Sequence, residues 1–375
     1  MSKEAAVYSG SLENRPGFNQ VIEIFGQQSA NPPGCDQSIG SCYKAVLSLA
    51  SSDRQLGRFL EDVYNRRVSI TPVHFVNLFF RSVQYIQLYL SGDSSYQEYN
   101  SKEQWEPVLL DMISSPNGAV LEELLLTRET VTTKYQRYAG PKALLAALWP
   151  SKSLNVADFG CGANYGLRGL ELNEPFEQII DNTPDHRFLR LMEIPIVLNE
   201  GLAVDKQNPE APEIKAWSVA CSYYPQEFSK FDATDRLEKR LKLAKKTVFL
   251  HADLLEPVTL EMIPRGHFHA VVLSTVLYQH LPWERDAILA EAQKVLNPEG
   301  VIIIQDFARK NGHDTSGLAF SEPWFNNYGY RTFLVQADRL DQPLEVFQWS
   351  DGRCTQVRSG LDYSRIFASN SYNKS

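Results

Sequence analysis

VADFGCGANYGLRGL, residues Val156–Leu170, reads as an apolar strand that ends in a glycine turn and runs on into a helix. Gly160, Gly162 and Gly166 make the pattern G-x-G-x-x-x-G. Glycine reaches positive φ with no Cβ penalty, so such a turn lets backbone amides approach a ligand closely. A dinucleotide pyrophosphate, a phosphate and an adenosyl sulfonium are all bound by turns of this kind. Asp158, two residues before Gly160, narrows the choice. It ends the strand, on the edge where open α/β sheets take ligands. Pyrophosphate sites rely on amide donors and a helix N-terminus, and a carboxylate there repels the phosphates. It suits a cation instead, such as the α-ammonium of a methionine moiety. The turn therefore favours S-adenosylmethionine (SAM) over NAD.

Around this stretch, strands alternate with helices from Leu154 onward. LNVADF, IPIVLNEGLAV, TVFLHADLLE, FHAVVLS and GVIIIQDF read as strands, and DATDRLEKRLKLAKKT and PWERDAILAEAQKVL as helices. That alternation predicts a mainly parallel sheet covered on both faces. YRTFLVQADRL follows, and LEVFQWSDGRCTQVRS then reads as an antiparallel hairpin about Ser350-Asp351-Gly352. Residues 1–126 read as an N-terminal helical domain whose first 40 residues are arm and loop, and 127–375 as the ligand-binding domain. TPVHFVNLFFRSVQYIQLYL predicts a mostly buried helix with Thr71 as N-cap and Pro72 at its first position. The helical stretch before the first strand is expected to break near Gly140-Pro141.

Composition excludes several classes. The 375 residues carry 45 acidic and 37 basic groups, a net charge of −8, which opposes general nucleic-acid binding. The five cysteines (Cys35, Cys42, Cys161, Cys221 and Cys354) form no C-x-x-C pair, so neither a disulfide framework nor a metal site is expected. The N-terminal segment has no apolar signal core, and no apolar run approaches the roughly 20 residues of a membrane span. A cytoplasmic setting with no membrane contact is the expectation.

At DFGCGANYG the chain resembles class I SAM-dependent methyltransferases, whose first motif is D-x-G-x-G-x-G. Here Asn164 stands in place of the third glycine; asparagine tolerates the left-handed backbone. The resemblance implies a Rossmann-like fold with Asp158, Gly160, Cys161, Gly162 and Asn164 in the cofactor turn. HADLLEP resembles the motif after the third strand, which implies Asp253 near the adenine amino group and Leu254 beside the ring. FHAVVLSTVLYQHLP resembles the fourth-strand motif, with Ser274 at the strand end. LNPEGVIIIQDF resembles the fifth, with Glu299 where glycine is usual. In this family an acid closing the second strand takes the ribose hydroxyls. Asp205 is preferred for its better strand, while Asp181 fits the usual spacing from the glycines. The chain also resembles an uncharacterised bacterial family with a helical half before a methyltransferase-like half, through TRETVTTKYQRYAGPKALLAAL, GLAVDKQNPEAPEIKAWSVACSYYP and RLEKRLKLA.

Candidates for chemistry are few. Tyr278 and His280 lie on the loop after FHAVVLS, and a histidine near its neutral pKa suits a general base. Tyr135, Arg137 and Tyr138 precede the first strand, in a helix that lids the cofactor in such folds. The hydroxyls of Tyr135 and Tyr138 and the Arg137 guanidinium are candidates for the methionine carboxylate. His267 and His269 read as polar positions at a strand start rather than a metal pair. Trp324, Phe325 and Tyr328 are candidates for an acceptor wall on a long polar loop. The expected acceptor is a small molecule. A SAM-binding enzyme of other chemistry and a non-catalytic scaffold are the alternatives.

Overall fold

β1, Ser153–Phe159, lies at the centre of a nine-stranded sheet. A computed structural model describes residues 17–52, 55–67, 70–131, 134–309 and 328–367. The other strands are β2 (Ile180–Asn182), β3 (Val197–Asp205), β4 (Thr247–His251), β5 (Phe268–Ser274), β6 (Leu296–Arg309), β7 (Tyr328–Gln336), β8 (Leu344–Trp349) and β9 (Gln356–Ser359). Their order is β2-β9-β8-β7-β6-β5-β1-β3-β4. β4, β3, β1, β5 and β6 run parallel. β7, β8 and β9 then continue as an antiparallel meander. The hairpin read from LEVFQWSDGRCTQVRS is β8–β9, with Trp349 opposite Val357. β2 was not foreseen: three residues pair parallel with β9 at the margin of the sheet.

The apolar runs follow from two covered faces. Val156, Ala270, Val272, Val301 and Ile303 bury on one face, while Ala157, Val271, Leu273, Ile302 and Ile304 bury on the other. Strands buried on both sides lose polar alternation. From β1 the chain builds outward to β3 and β4, then returns to β5 on the opposite side of β1. The C-terminal ends of β1 and β5 thus flank the topological switch point, where open α/β sheets bind ligands.

The chain forms two compact units. The sheet unit comprises Val131–Ser218 and the described residues from Asp232 onward. The helical unit comprises the described residues up to Thr130 together with Val219–Phe231, a segment whose sequence reads as part of the sheet domain. The helical unit holds α1 (Phe18–Ala30), α2 (Gln37–Ser52), α3 (Gln55–Arg66), α4 (Pro72–Tyr85), α5 (Lys102–Ser114) and α6 (Asn117–Thr127). Arg81 and Gln84 of α4 tie in the late segment by donating to the carbonyls of Ala220 and Tyr223. Thr71 caps α4 through the His74 N–H at 3.2 Å, as its sequence predicts. Phe75, Phe79, Phe80 and Val83 of that helix are fully buried or nearly so. Within the arm read over residues 1–40, the stretch Phe18–Ala30 is instead α1, which buries Val21, Ile24 and Phe25 at helical spacing, while residues 1–16 lie outside the described residues.

In the sheet unit, α7 (Ala139–Leu148) follows a short 3-10 turn over Tyr135–Tyr138. The expected break at Gly140-Pro141 does not occur. Pro141 falls in the first turn of α7, where its missing N–H costs no helical bond. α8 (Tyr165–Leu172) leaves the glycine turn, and α9 (Arg187–Glu193) precedes β3.

Candidate functional site at the switch point

Gly160 and Gly162 adopt φ of 77° and 55°, and Asn164 takes the left-handed region at φ 56° as the residue before α8. The turn is anchored to β3. The Gly160 and Cys161 amides donate to the Val204 carbonyl at 2.8 and 3.1 Å. The Gly162 amide donates to Asp205 Oδ2 at 2.9 Å. Gly160 also admits the loop after β5, since a Cβ there would lie 2.6 Å from Val276 Cγ2.

Asp158, the penultimate residue of β1, is fully buried. Its Oδ2 accepts from the Tyr138 hydroxyl at 2.7 Å, and its Oδ1 has no partner. Burial pushes its carboxyl up to about 7, the Tyr138 bond pulls it back, and Asp205 adds repulsion. Gly166 has a different task from the third glycine of the motif. A Cβ there would fall inside the Tyr138 ring, so the residue clears the space from which Tyr138 reaches the acid. The Asn164 side-chain amide is also buried with neither atom partnered.

Asp205 closes β3 beside this turn and receives a second bond from the Gln207 amide at 3.0 Å. Burial raises its carboxyl from the ordinary aspartate value, against the two amide bonds that lower it. Asp181, the alternative, lies in β2 on the far margin of the sheet, where it accepts from the amides of Thr183 and Leu189. Asp253 and Leu254 follow β4; Asp253 Oδ1 accepts from the Leu255 amide, and Leu254 is buried. At the end of β5 the Ser274 hydroxyl is buried without a partner.

Thr275 comes next at φ 62°, unusual for a β-branched residue. Its Oγ1 accepts from Arg137 Nη1 at 3.1 Å and shares a hydrogen bond with the Tyr330 hydroxyl at 2.9 Å. Arg137 Nε donates to the Gly352 carbonyl at 2.9 Å. Arg137 thus ties together the turn preceding α7, the loop after β5 and the β8–β9 connection. Tyr135 is not brought to the glycine turn. Its ring stacks on Phe176 and its hydroxyl donates to the Glu174 carbonyl, beyond the C-terminal end of α8.

No family model matches this chain. No curated protein matches it. Solved structures that resemble it include phosphoethanolamine N-methyltransferase 2 of Haemonchus contortus with phosphomonomethylethanolamine and S-adenosylhomocysteine (SAH), at 16% identity, 45% of this chain, 28% of that one and a TM-score of 0.28. A SAM-dependent methyltransferase of Mesorhizobium loti matches at 15% identity, 45% of this chain, 54% of that one and TM-score 0.25. A Burkholderia thailandensis 1,6-didemethyltoxoflavin N1-methyltransferase matches at 15% identity, 55% of this chain, 59% of that one and TM-score 0.24. This chain spans 28% to 59% of the length of these proteins.

The loop after β5 carries Tyr278 and His280. The Tyr278 amide donates to Asp306 Oδ2 at 3.2 Å, and its ring meets Phe307 edge-on at 5.5 Å. His280 Nδ1 lies 3.4 Å from Glu284 Oε2, and its carbonyl accepts two bonds from Arg285. Asp306 escaped the sequence reading. It is fully buried in β6, and burial pushes its carboxyl up to about 7. Its signal was a lone acid in GVIIIQDF. His267 and His269 are at the opposite ends of the strands, hydrogen-bonded to Asn155, with His267 also meeting Glu200. Trp324 and Phe325 lie outside the described residues, and Tyr328 opens β7.

Proposed function

We propose that this chain binds SAM at the Gly160 turn and transfers its methyl group to a small-molecule acceptor. The observation that carries the reading is the buried, unpaired Oδ1 of Asp158. An unsatisfied buried carboxylate oxygen is costly, and a bound ammonium removes that cost. The donor set fits the rest of the cofactor. Asp205 retains lone pairs beyond its two amide bonds, enough to accept ribose hydroxyls. Asp253 offers an acceptor for an adenine amino group, and Leu254 an apolar edge. The unpartnered Ser274 hydroxyl and Asn164 amide supply further polar contacts.

When bound, SAM supplies an electrophilic methyl group. What the protein contributes is alignment and exclusion of water. His280 is the candidate to take a proton from a neutral hydroxyl or amine acceptor, and Glu284 would then stabilise the imidazolium. Isothermal titration tests the reading. SAM and SAH should give saturable heat and NAD none, and Asp158→Ala should weaken SAH binding by about 1–3 kcal/mol, the cost of losing a charged partner. NAD binding with no heat from SAM or SAH would overturn it.

A further inference from the structure

The Tyr138 ring occupies the space opened by Gly166, and its hydroxyl ends on Asp158. Phenylalanine would fill the same space; only the hydroxyl reaches the acid. We propose that Tyr138 is a positioning residue that holds one oxygen of ionised Asp158 and leaves the other for the cationic group of the ligand. The proposal rests on the reading of this turn as the SAM site.

The titratable groups facing Asp158 are Tyr138, Asp205 and the buried Cys161 thiol, with Arg168 acting on Cys161 from α8. Among the described residues no lysine or arginine is hydrogen-bonded to it. The acid therefore lacks a cation of its own, and burial pushes it up to about 7. Two consequences follow. A cationic ligand binds the ionised acid, so affinity rises with pH up to that value and levels off above it. Removing the Tyr138 hydroxyl removes a donor that favours the ionised form, so the midpoint moves upward.

The test is SAH titration from pH 5.5 to 9 with the full chain and with Tyr138→Phe, Gly166→Ala and Asp158→Asn. Wild-type affinity should climb roughly tenfold per pH unit below the midpoint. Tyr138→Phe should shift the midpoint up by about one unit or more, weakening binding about tenfold near pH 7 and recovering at pH 9. Gly166→Ala should do the same, because its methyl group displaces the ring. Asp158→Asn should bind weakly with a flat profile. Denaturant unfolding of the free protein supplies a ligand-independent reading. The stability lost in Tyr138→Phe should grow as pH rises through about 7, since the bond is strongest to the ionised carboxylate, whereas a packing role predicts a constant loss. A Tyr138→Phe protein that binds SAH with the wild-type midpoint would overturn the positioning role. A wild-type protein that binds no SAH at any pH would overturn the site assignment, and the unfolding series would still report whether the Tyr138–Asp158 bond acts as described.

Discussion

Thr275 follows the C-terminal end of β5 with a positive φ and a hydroxyl that both Arg137 and Tyr330 use. A buried β-branched residue keeps such a backbone only where its surroundings over-determine it. Thr275→Ala should keep the strain and lose both bonds, lowering unfolding stability by about 1–3 kcal/mol in a urea titration. His280 poses a functional question instead. Its ring meets Glu284 at the start of the helix Pro282–Val295. If it removes the acceptor's proton, His280→Ala should lower turnover roughly 10²–10⁴-fold with SAH affinity nearly unchanged. Lower melting temperature together with weaker SAH binding would mark it as a packing residue. The place of Asp158 beside the glycine turn was legible because the glycines that form the turn are its immediate neighbours in sequence. Tyr138 lies 20 residues from Asp158, and Thr275 lies 138 and 55 residues from its partners Arg137 and Tyr330, so no local pattern announced any of these bonds.

Most strands and long helices were legible because both covered faces leave unbroken apolar runs and because Thr71-Pro72 and Pro282 mark helix starts. The failures have definite causes. β2 is only three residues long and takes its pairing from β9, far along the chain. α1 was obscured by the turn-rich SANPPG stretch that follows it. The break assigned to Gly140-Pro141 gave way because proline is tolerated in a first turn. Gly140 matters for another reason. A Cβ there would collide with the side chains of Gln305 and Thr332, which are hydrogen-bonded to each other, with Trp349 Nε1 donating to Thr332 at 2.9 Å. Alanine is the better helix former by about 1 kcal/mol. Gly140→Ala should nevertheless destabilise the protein by about 1–3 kcal/mol through overpacking, as a lowered denaturant midpoint with unchanged slope.

Across the molecule, the buried acids set a common pH dependence. Asp158 and Asp306 are both raised by burial to about 7 from an ordinary value of 3.8. Between those values the folded protein holds protons that the unfolded chain has released. Their contribution to stability is therefore complete below about 4 and is lost as pH rises to about 7. Asp306→Asn should unfold with a flatter stability–pH profile than wild type over that window, and an unchanged profile would show that Asp306 does not titrate there. Among the described residues no helix is long and apolar enough to cross a membrane. The pairing of Ile180–Asn182 with Gln356–Arg358 also orders events in time. More than a hundred and seventy residues of sequence lie between these segments, and translation delivers the second of them long after the first. Until it emerges, the backbone groups of Ile180–Asn182 have no ladder to join, and β8 presents an open edge. This pairing closes only across the long stretch of chain between the two segments, at the entropic cost of a large loop. A nascent chain stalled at Thr355 should therefore protect the amides of β1, β3 and β5 from hydrogen exchange while leaving those of Ile180–Asn182 open.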